Sequence, residues 1–310
     1  MSPARPSDAV WAELALLALI WGASFFSIAV ALREMGPLTA VWHRVFWAAL
    51  ILWVVAAARG LRPPRDLTLW RDFAAMGLLN NVIPFSLMAW GQTRIETGLV
   101  AIFNAATAIF GALVAAALLR EERLTRRRAL GIGLGFAGVV LMIGVEALDG
   151  LDMRSVAQGA VALGALSYAF ASVWAKVRLR GVPPVLAAAG MLSCSAGFAA
   201  PLAWAAEGAP RLDLSWSSWA AIVWFAGLGT AAAYLLYYRI LARAGAADLM
   251  LVTLLIPPLS IALGAGFLGE RFGPEAALGF ALLAAGLIVI DGRLIPGRAT
   301  GGGAREGGRP

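Results

Sequence analysis

Long apolar runs separated by short polar joints fill almost the whole chain. Ten apolar blocks stand out, at residues 10–32, 39–58, 70–90, 97–119, 129–148, 156–177, 185–206, 219–238, 247–268 and 276–290. A stretch of roughly 20 apolar residues matches the hydrocarbon thickness of a bilayer. Within each block the apolar residues are continuous rather than alternating, which predicts helices and argues against a barrel. The joints are too short to carry a soluble domain. The pattern therefore predicts an all-α polytopic membrane protein with ten transmembrane helices. A secretory signal is the weaker reading of the first block, because its apolar run exceeds the roughly 7–15 residues of a signal core.

Composition supports the same class. Hydrophobic residues make up 61% of the 310 and charged residues 14%, with a mean hydropathy of +0.80. A soluble domain needs more polar surface than that. The formal net charge of +7 raises the question of nucleic acid, but its placement answers it. With a cytoplasmic N-terminus, 19 of the 25 Lys and Arg residues fall in inside segments, including Arg126, Arg127 and Arg128. This is the positive-inside pattern, and it predicts a multi-pass inner-membrane protein with both termini cytoplasmic and no nucleic-acid partner. Cys194 is the single cysteine, so neither an intrachain disulfide nor a thiol metal cluster is expected. No cofactor is expected. Residues 297–310, rich in Gly and Arg, read as a disordered cytoplasmic tail.

The chain also repeats itself. A shift of 148 lays Glu122-Arg123 on Glu270-Arg271, Ala129-Leu130-Gly131 on Ala277-Leu278-Gly279, and Gly138 on Gly286. Near the N-terminus a shift of 147 lays Leu32-Arg33 on Leu179-Arg180 and Pro37 on Pro184. Residues 1–149 and 150–296 thus read as two five-helix repeats. Five is odd, so the second repeat enters the membrane inverted, an arrangement typical of secondary transporters.

Polar groups inside apolar spans are costly and mark candidate chemistry. Asn80 and Asn81 precede Pro84, which cannot bond back to the Asn80 carbonyl. They read either as a polar lining or as a locally satisfied kink. Thr97, Asn104, Thr107 and Gly111 share a helix face, as a pathway or as interhelical glue. Pro257-Pro258 predicts a broken or kinked helix. Arg44 snorkels, pairs with an outer acid such as Glu96, or meets a substrate carboxylate. Tyr234, Tyr237 and Tyr238 lie with Thr230 on one face; Tyr237 and Tyr238 read as an interfacial belt. Trp21 and Tyr168 coincide in the repeat, with Ser24 one turn from Trp21. The expected solute-lining set is Trp21, Ser24, Arg44, Asn80, Asn104, Tyr168 and Tyr234. Gly131, Gly133, Gly135 and Gly138 predict close helix packing rather than phosphate binding. No Asp or Glu lies deep in a span, and Glu13 and His43, both peripheral, are the groups nearest to a proton carrier.

Several segments carry a family resemblance. They are Ala18-Leu19-Ile20-Trp21-Gly22-Ala23-Ser24-Phe25, His43-Arg44-Val45-Phe46, Ile83-Pro84-Phe85-Ser86-Leu87, Trp90-Gly91-Gln92, residues 118–124, and Phe267-Leu268-Gly269-Glu270-Arg271. Together they resemble the EamA-like branch of the drug/metabolite transporter superfamily over residues 10 to 293. Ala108 stands where that family often has Pro, and Arg120-Glu121-Glu122 where Gly-Glu is usual. The resemblance implies an inner-membrane exporter of amino acids, metabolites or drug-like solutes, working by alternating access. The rival readings are a nucleotide-sugar or lipid-linked carrier, which calls for more basic residues than Arg44, and a non-transporting scaffold or sensor. An intramembrane enzyme lacks a catalytic constellation in this sequence.

Overall fold

The computed structural model describes residues 8–119, 125–143, 152–209, 212–249 and 252–291. These residues form ten helical rods and no strand. They are α1 (Asp8–Ala31), α2 (Pro37–Ala58), α3 (Leu67–Gly91), α4 (Thr97–Leu118) and α5 (Arg126–Ile143). The second set is α6 (Met153–Arg178), α7 (Pro184–Glu207), α8 (216–249), α9 (Val252–Leu268) and α10 (Pro274–Asp291). Seven of the rods are long and apolar enough to cross a membrane, while the apolar parts of α9 and α10 are shorter. α5 has 18 residues and opens on three arginines. The outer surface is apolar in the manner of a bilayer protein, with Val54, Leu130, Trp204 and Val223 exposed.

The apolar pattern located most rods to within a few residues, and one boundary needs correction. The block at 247–268 was expected to begin at Ala247, but α8 runs on to Leu249 and α9 starts at Val252. Between Tyr238 and Leu249 no proline interrupts the chain, and its Ala, Leu and Arg residues favour continued helix. Residues 144–148, the Glu121-Glu122 pair and the tail at 297–310 lie outside the described residues.

Helix pairing follows the repeat. α1 packs against α8 and α9, and its counterpart α6 packs against α3 and α4. The equivalent rods α2 and α7 form one extensive pair, and the equivalent rods α5 and α10 another. Both pairs are antiparallel. In the first, Leu38 meets Glu207 while Trp53 meets Ser193, so the start of one helix faces the end of the other. In the second, a Cβ on Gly131 would lie 2.6 Å from the Gly286 carbonyl oxygen, and one on Gly138 would lie 2.5 Å from that of Gly279. Backbone touches backbone at both points, which only glycine permits. Gly133 has open space around it and takes no part.

Carboxylates at the two ends of the bundle tie the first five rods to the last five. Successive rods joined by short turns run in opposite directions, so α2, α4, α6 and α8 begin at one rim. There Glu207 accepts hydrogen bonds from the Leu38 and Thr39 backbone N–H groups at 2.9 and 2.8 Å and from the Thr39 hydroxyl at 2.7 Å. Glu270 accepts from the Thr97 N–H at 2.8 Å, Glu34 from the Ser215 N–H at 2.9 Å, and Arg154 pairs with Glu96 at 2.8 Å. A carboxylate at a helix N-terminus satisfies orphan donors and meets the positive end of the helix dipole. Gly269 ends α9 in the left-handed conformation (φ 69°), and Glu270 follows it directly. At the other rim Glu13 pairs with Arg239 and Arg243 at 3.1 and 2.8 Å, and Asp72 with Arg178 at 3.1 Å.

Candidate functional site

The centre of the bundle is polar where α3 and α8 each leave regular α-helix. In α3, residues Leu78–Val82 form a π turn, and the Ile83 N–H bonds to the Leu78 carbonyl. Leu79 thereby loses its usual donor, and its carbonyl accepts instead from the Ser167 hydroxyl of α6 at 2.7 Å. Pro84, which has no N–H, follows at once. In α8 a longer π segment runs over Val223–Ala232. The Thr230 hydroxyl donates to the Phe225 carbonyl at 2.8 Å, and the Gly229 carbonyl accepts from the Trp21 indole of α1 at 3.1 Å. A shift of 147 places Asn80 on Gly227, so the two π segments occupy equivalent positions in the repeat. Such segments often mark functional sites, because they expose backbone polar groups and re-aim side chains.

Two chains of contacts meet here. In the first, Asn80 donates to the Tyr234 hydroxyl at 2.9 Å, joining α3 to α8. The Tyr234 hydroxyl donates to the Asn81 side-chain oxygen at 3.4 Å, and Asn81 donates to Ser195 of α7 at 2.9 Å. In the second, Arg44 of α2 donates from Nε to the Thr230 hydroxyl at 2.9 Å. Its guanidinium carbon lies 3.8 Å from the centre of the Phe85 ring, a cation–π geometry. Tyr168 stands edge-on to the same Phe85 ring with centroids 6.3 Å apart. Both Tyr168 and Tyr234 lie within electrostatic reach of Arg44. A buried arginine in a membrane helix costs about 2.5–3.5 kcal/mol on insertion scales. Here only Nε and the ring face have partners among the described residues.

Of the expected lining residues, Arg44, Asn80, Tyr168 and Tyr234 come together. Trp21 and Ser24 sit beside them on the Gly229 side: a Cβ on Gly229 would fall 2.1 Å from the Ser24 hydroxyl oxygen, so only glycine fits. Asn104 is half-buried, and its side chain has no hydrogen-bond partner among the described residues. It stands where α4 bends: the Ala106 N–H bonds to Phe103 rather than one residue further back. Among the described residues no hydrogen bond joins Asn104 to the Arg44 cluster. Two concavities lie away from these residues: one of about 340 Å³ at the rim between Leu32, Gly36 and Glu207, and an apolar one of about 280 Å³ between Trp47, Trp219 and Val223.

Two expectations are corrected. Arg44 does not pair with Glu96, which is held by Arg154. Pro257 and Pro258 do not break α9, which stays α-helical over Val252–Leu263; its irregular turn comes later, at Gly264–Leu268. Beside the proline pair, Ile256, Leu259 and Ser260 face α1 at Gly22, and the Ser260 hydroxyl donates to the Gly22 carbonyl at 3.1 Å. Tyr237 lies 6.0 Å from Trp21 between ring centroids. Glu13 is neutralised by two arginines. His43 is fully buried among Trp42, Trp47 and Trp219, and the Trp47 indole donates to its Nδ1 at 3.1 Å. Among the described residues no group of His, Cys, Asp and Glu is arranged to hold a metal. Phe85, Ser195 and the α8 π segment were not singled out from the sequence. Phe85 directly follows Pro84, and the glycines at 227 and 229 were the available signal in α8.

A bundle of apolar helices with a polar centre shared by two five-helix sets belongs to the class of membrane transporters. The EamA-like transporter family matches the chain twice, at residues 10–144 and again at 157–291. The chain belongs to that family and is a multi-pass membrane transporter. It is 28% identical to a probable terminal-alkyne amino-acid exporter of Streptantibioticus cattleyicolor, over 93% of this chain and 95% of that protein. It is 30% identical to the uncharacterized transporter YwfM of Bacillus subtilis over 67% of this chain and 68% of that protein. It is 24% identical to the uncharacterized inner membrane transporter YedA of Escherichia coli K12, over 93% of each. A solved crystal structure shares the fold, with a TM-score of 0.64 and 19% identity over 91% of this chain and 97% of that one.

Proposed function

We propose that this protein is an inner-membrane secondary transporter that exports small metabolites, amino acids or drug-like solutes by alternating access. Ten membrane crossings in two inverted repeats, residues 1–149 and 150–296, carry the mechanism, with both termini in the cytoplasm. The observation that carries this reading is the polar cluster of Arg44, Asn80, Tyr168 and Tyr234, shared between the two sets of five helices and placed at paired π segments. The antiparallel packing of the equivalent rods α5 and α10 supports inversion, because a two-fold axis relating antiparallel neighbours lies across them, in the plane of the membrane. Alternation then consists of releasing one rim at a time. The Glu34, Glu96, Glu207 and Glu270 links close the outer rim, and the Glu13 and Asp72 pairs close the inner one. Trp21, Ser24 and Asn104 line the path beside the cluster. The exporter name of the S. cattleyicolor relative favours a solute of amino-acid size.

The test is efflux from proteoliposomes preloaded with a broad metabolite mixture, read by mass spectrometry against empty liposomes. Selective loss of one chemical class supports the reading. Retention of every solute, with and without a proton gradient, counts against transport and favours a scaffold.

A further inference from the structure

The guanidinium of Arg44 is only half used. Nε donates to Thr230, and Phe85 covers one face, but the two terminal nitrogens have no hydrogen-bond partner among the described residues. The Tyr168 hydroxyl, across the same Phe85 ring, likewise has no hydrogen-bond partner among the described residues. Two sets of donors therefore flank one aromatic ring in the middle of the bundle. The acids are elsewhere. Among the described side chains, Asp and Glu stand in the joints or within two turns of a rod's end, and Glu13, Asp72, Glu96, Glu207 and Glu270 are engaged there. A cation held inside a membrane bundle with no counter-ion is unfavourable unless an anion visits it. The forked terminal N–H groups of arginine match the two oxygens of a carboxylate.

We infer that the solute carries a carboxylate, seated on the terminal nitrogens of Arg44 with the Tyr168 hydroxyl beside it, and that its body is apolar, packed against Phe85 and Tyr234. This rests on reading the cluster as the solute site. It further separates simple carboxylate anions from zwitterions. An ammonium group beside Arg44 would meet a like charge and neutral amides and hydroxyls rather than an acid. Organic monocarboxylates are therefore preferred over the amino acids of the same shape.

The experiment uses proteoliposomes loaded with one defined mixture. It contains N-acetylphenylalanine, phenylalanine, phenylalaninamide and N-acetylphenylalaninamide, together with the four corresponding leucine compounds. Each body then appears as anion, zwitterion, cation and neutral molecule, and efflux is followed by mass spectrometry. The N-acetyl acids are expected to leave about tenfold faster than the neutral amides, the usual worth of one charge-assisted contact. The free amino acids should fall between. Arg44→Gln should erase the difference between acid and amide, Arg44→Lys should retain part of it, and Tyr168→Phe should reduce it. A thermal melt of each purified variant shows that it is folded. Transport by the wild type that favours the cations, or that treats the four forms alike, overturns the inference while leaving the transport reading standing. Preference for the acids that survives in a folded Arg44→Gln protein overturns the role of Arg44. No efflux of any of these compounds above empty liposomes, while the broad metabolite mixture does show a transported class, overturns the inference alone; no efflux in either experiment removes the transport reading and the inference with it.

Discussion

Replacing Gly286 with alanine adds one methyl group at the tightest contact between α10 and α5. The new Cβ would stand 2.5 Å from the Gly131 carbonyl oxygen, 2.7 Å from the Gly135 nitrogen and 3.1 Å from the Gly135 Cα. All three are backbone atoms, so no side chain can rotate away. Relief requires the helices to part by several tenths of an ångström, and the same movement loosens the Gly138–Gly279 contact further along. Overpacking of this kind costs about 1–3 kcal/mol. Gly133→Ala lies on the same stretch of α5, yet its Cβ would meet nothing within 4 Å. There alanine gains its intrinsic helix advantage over glycine, about 0.5–1 kcal/mol. The two substitutions should thus move stability in opposite directions and differ by roughly 2–4 kcal/mol. Thermal unfolding of the purified proteins in one detergent, followed by tryptophan fluorescence, reads the difference. Equal effects, or a larger loss from Gly133→Ala, would refute the α5–α10 pairing and with it the main structural argument for inverted repeats.

Three further outcomes are expected. Tyr234→Phe removes the acceptor for Asn80 and should cost about 1 kcal/mol in thermal stability, with an efflux rate lower by about fivefold; unchanged efflux would place Tyr234 outside the path. Asn104→Leu should reduce transport without reducing the amount of protein in the membrane, since its amide makes no bond that folding would lose; normal flux would remove Asn104 from the lining. Glu207→Gln takes the negative charge from the start of α2 and leaves one oxygen to serve three donors. It should cost about 1–2 kcal/mol of stability and increase labelling of rim residues by impermeant reagents from outside, whereas reduced labelling would show that this link does not hold the rim closed.

Much of this architecture could be read in the sequence because membrane insertion imposes a simple rule. A rod that crosses lipid must be apolar along its length, so apolar runs and basic joints together marked nearly every helix. The rule fails where a helix leaves the membrane, as between Tyr238 and Leu249, because there propensity rather than hydropathy sets the end. The polar cluster was partly legible as well. Arg44, Asn80, Tyr168 and Tyr234 stood out as costly or amphipathic groups within apolar runs. Their mutual contacts did not, since they come from four helices and depend on tertiary packing. The π segments were hidden for another reason. Pro84 announced trouble in α3, but a missing N–H is compatible with a kink, a wide turn or a local break, and α8 has no proline at all. Pro257-Pro258 misled in the opposite sense: two prolines in a row allowed a break as well as a packing kink, whereas α9 stays α-helical over Val252–Leu263 and packs on α1 at Gly22.

The central claim is that one polar site is reached from each side of the membrane in turn. Cys194 is the single native cysteine, so one substitution, Cys194→Ser, clears the background for labelling. A cysteine then placed at Tyr168 can be probed with a membrane-impermeant thiol reagent in right-side-out and in inverted vesicles. The account predicts modification from both sides, slowed from both by a transported solute. Modification from one side alone, or from neither while the protein still catalyses efflux, would contradict it.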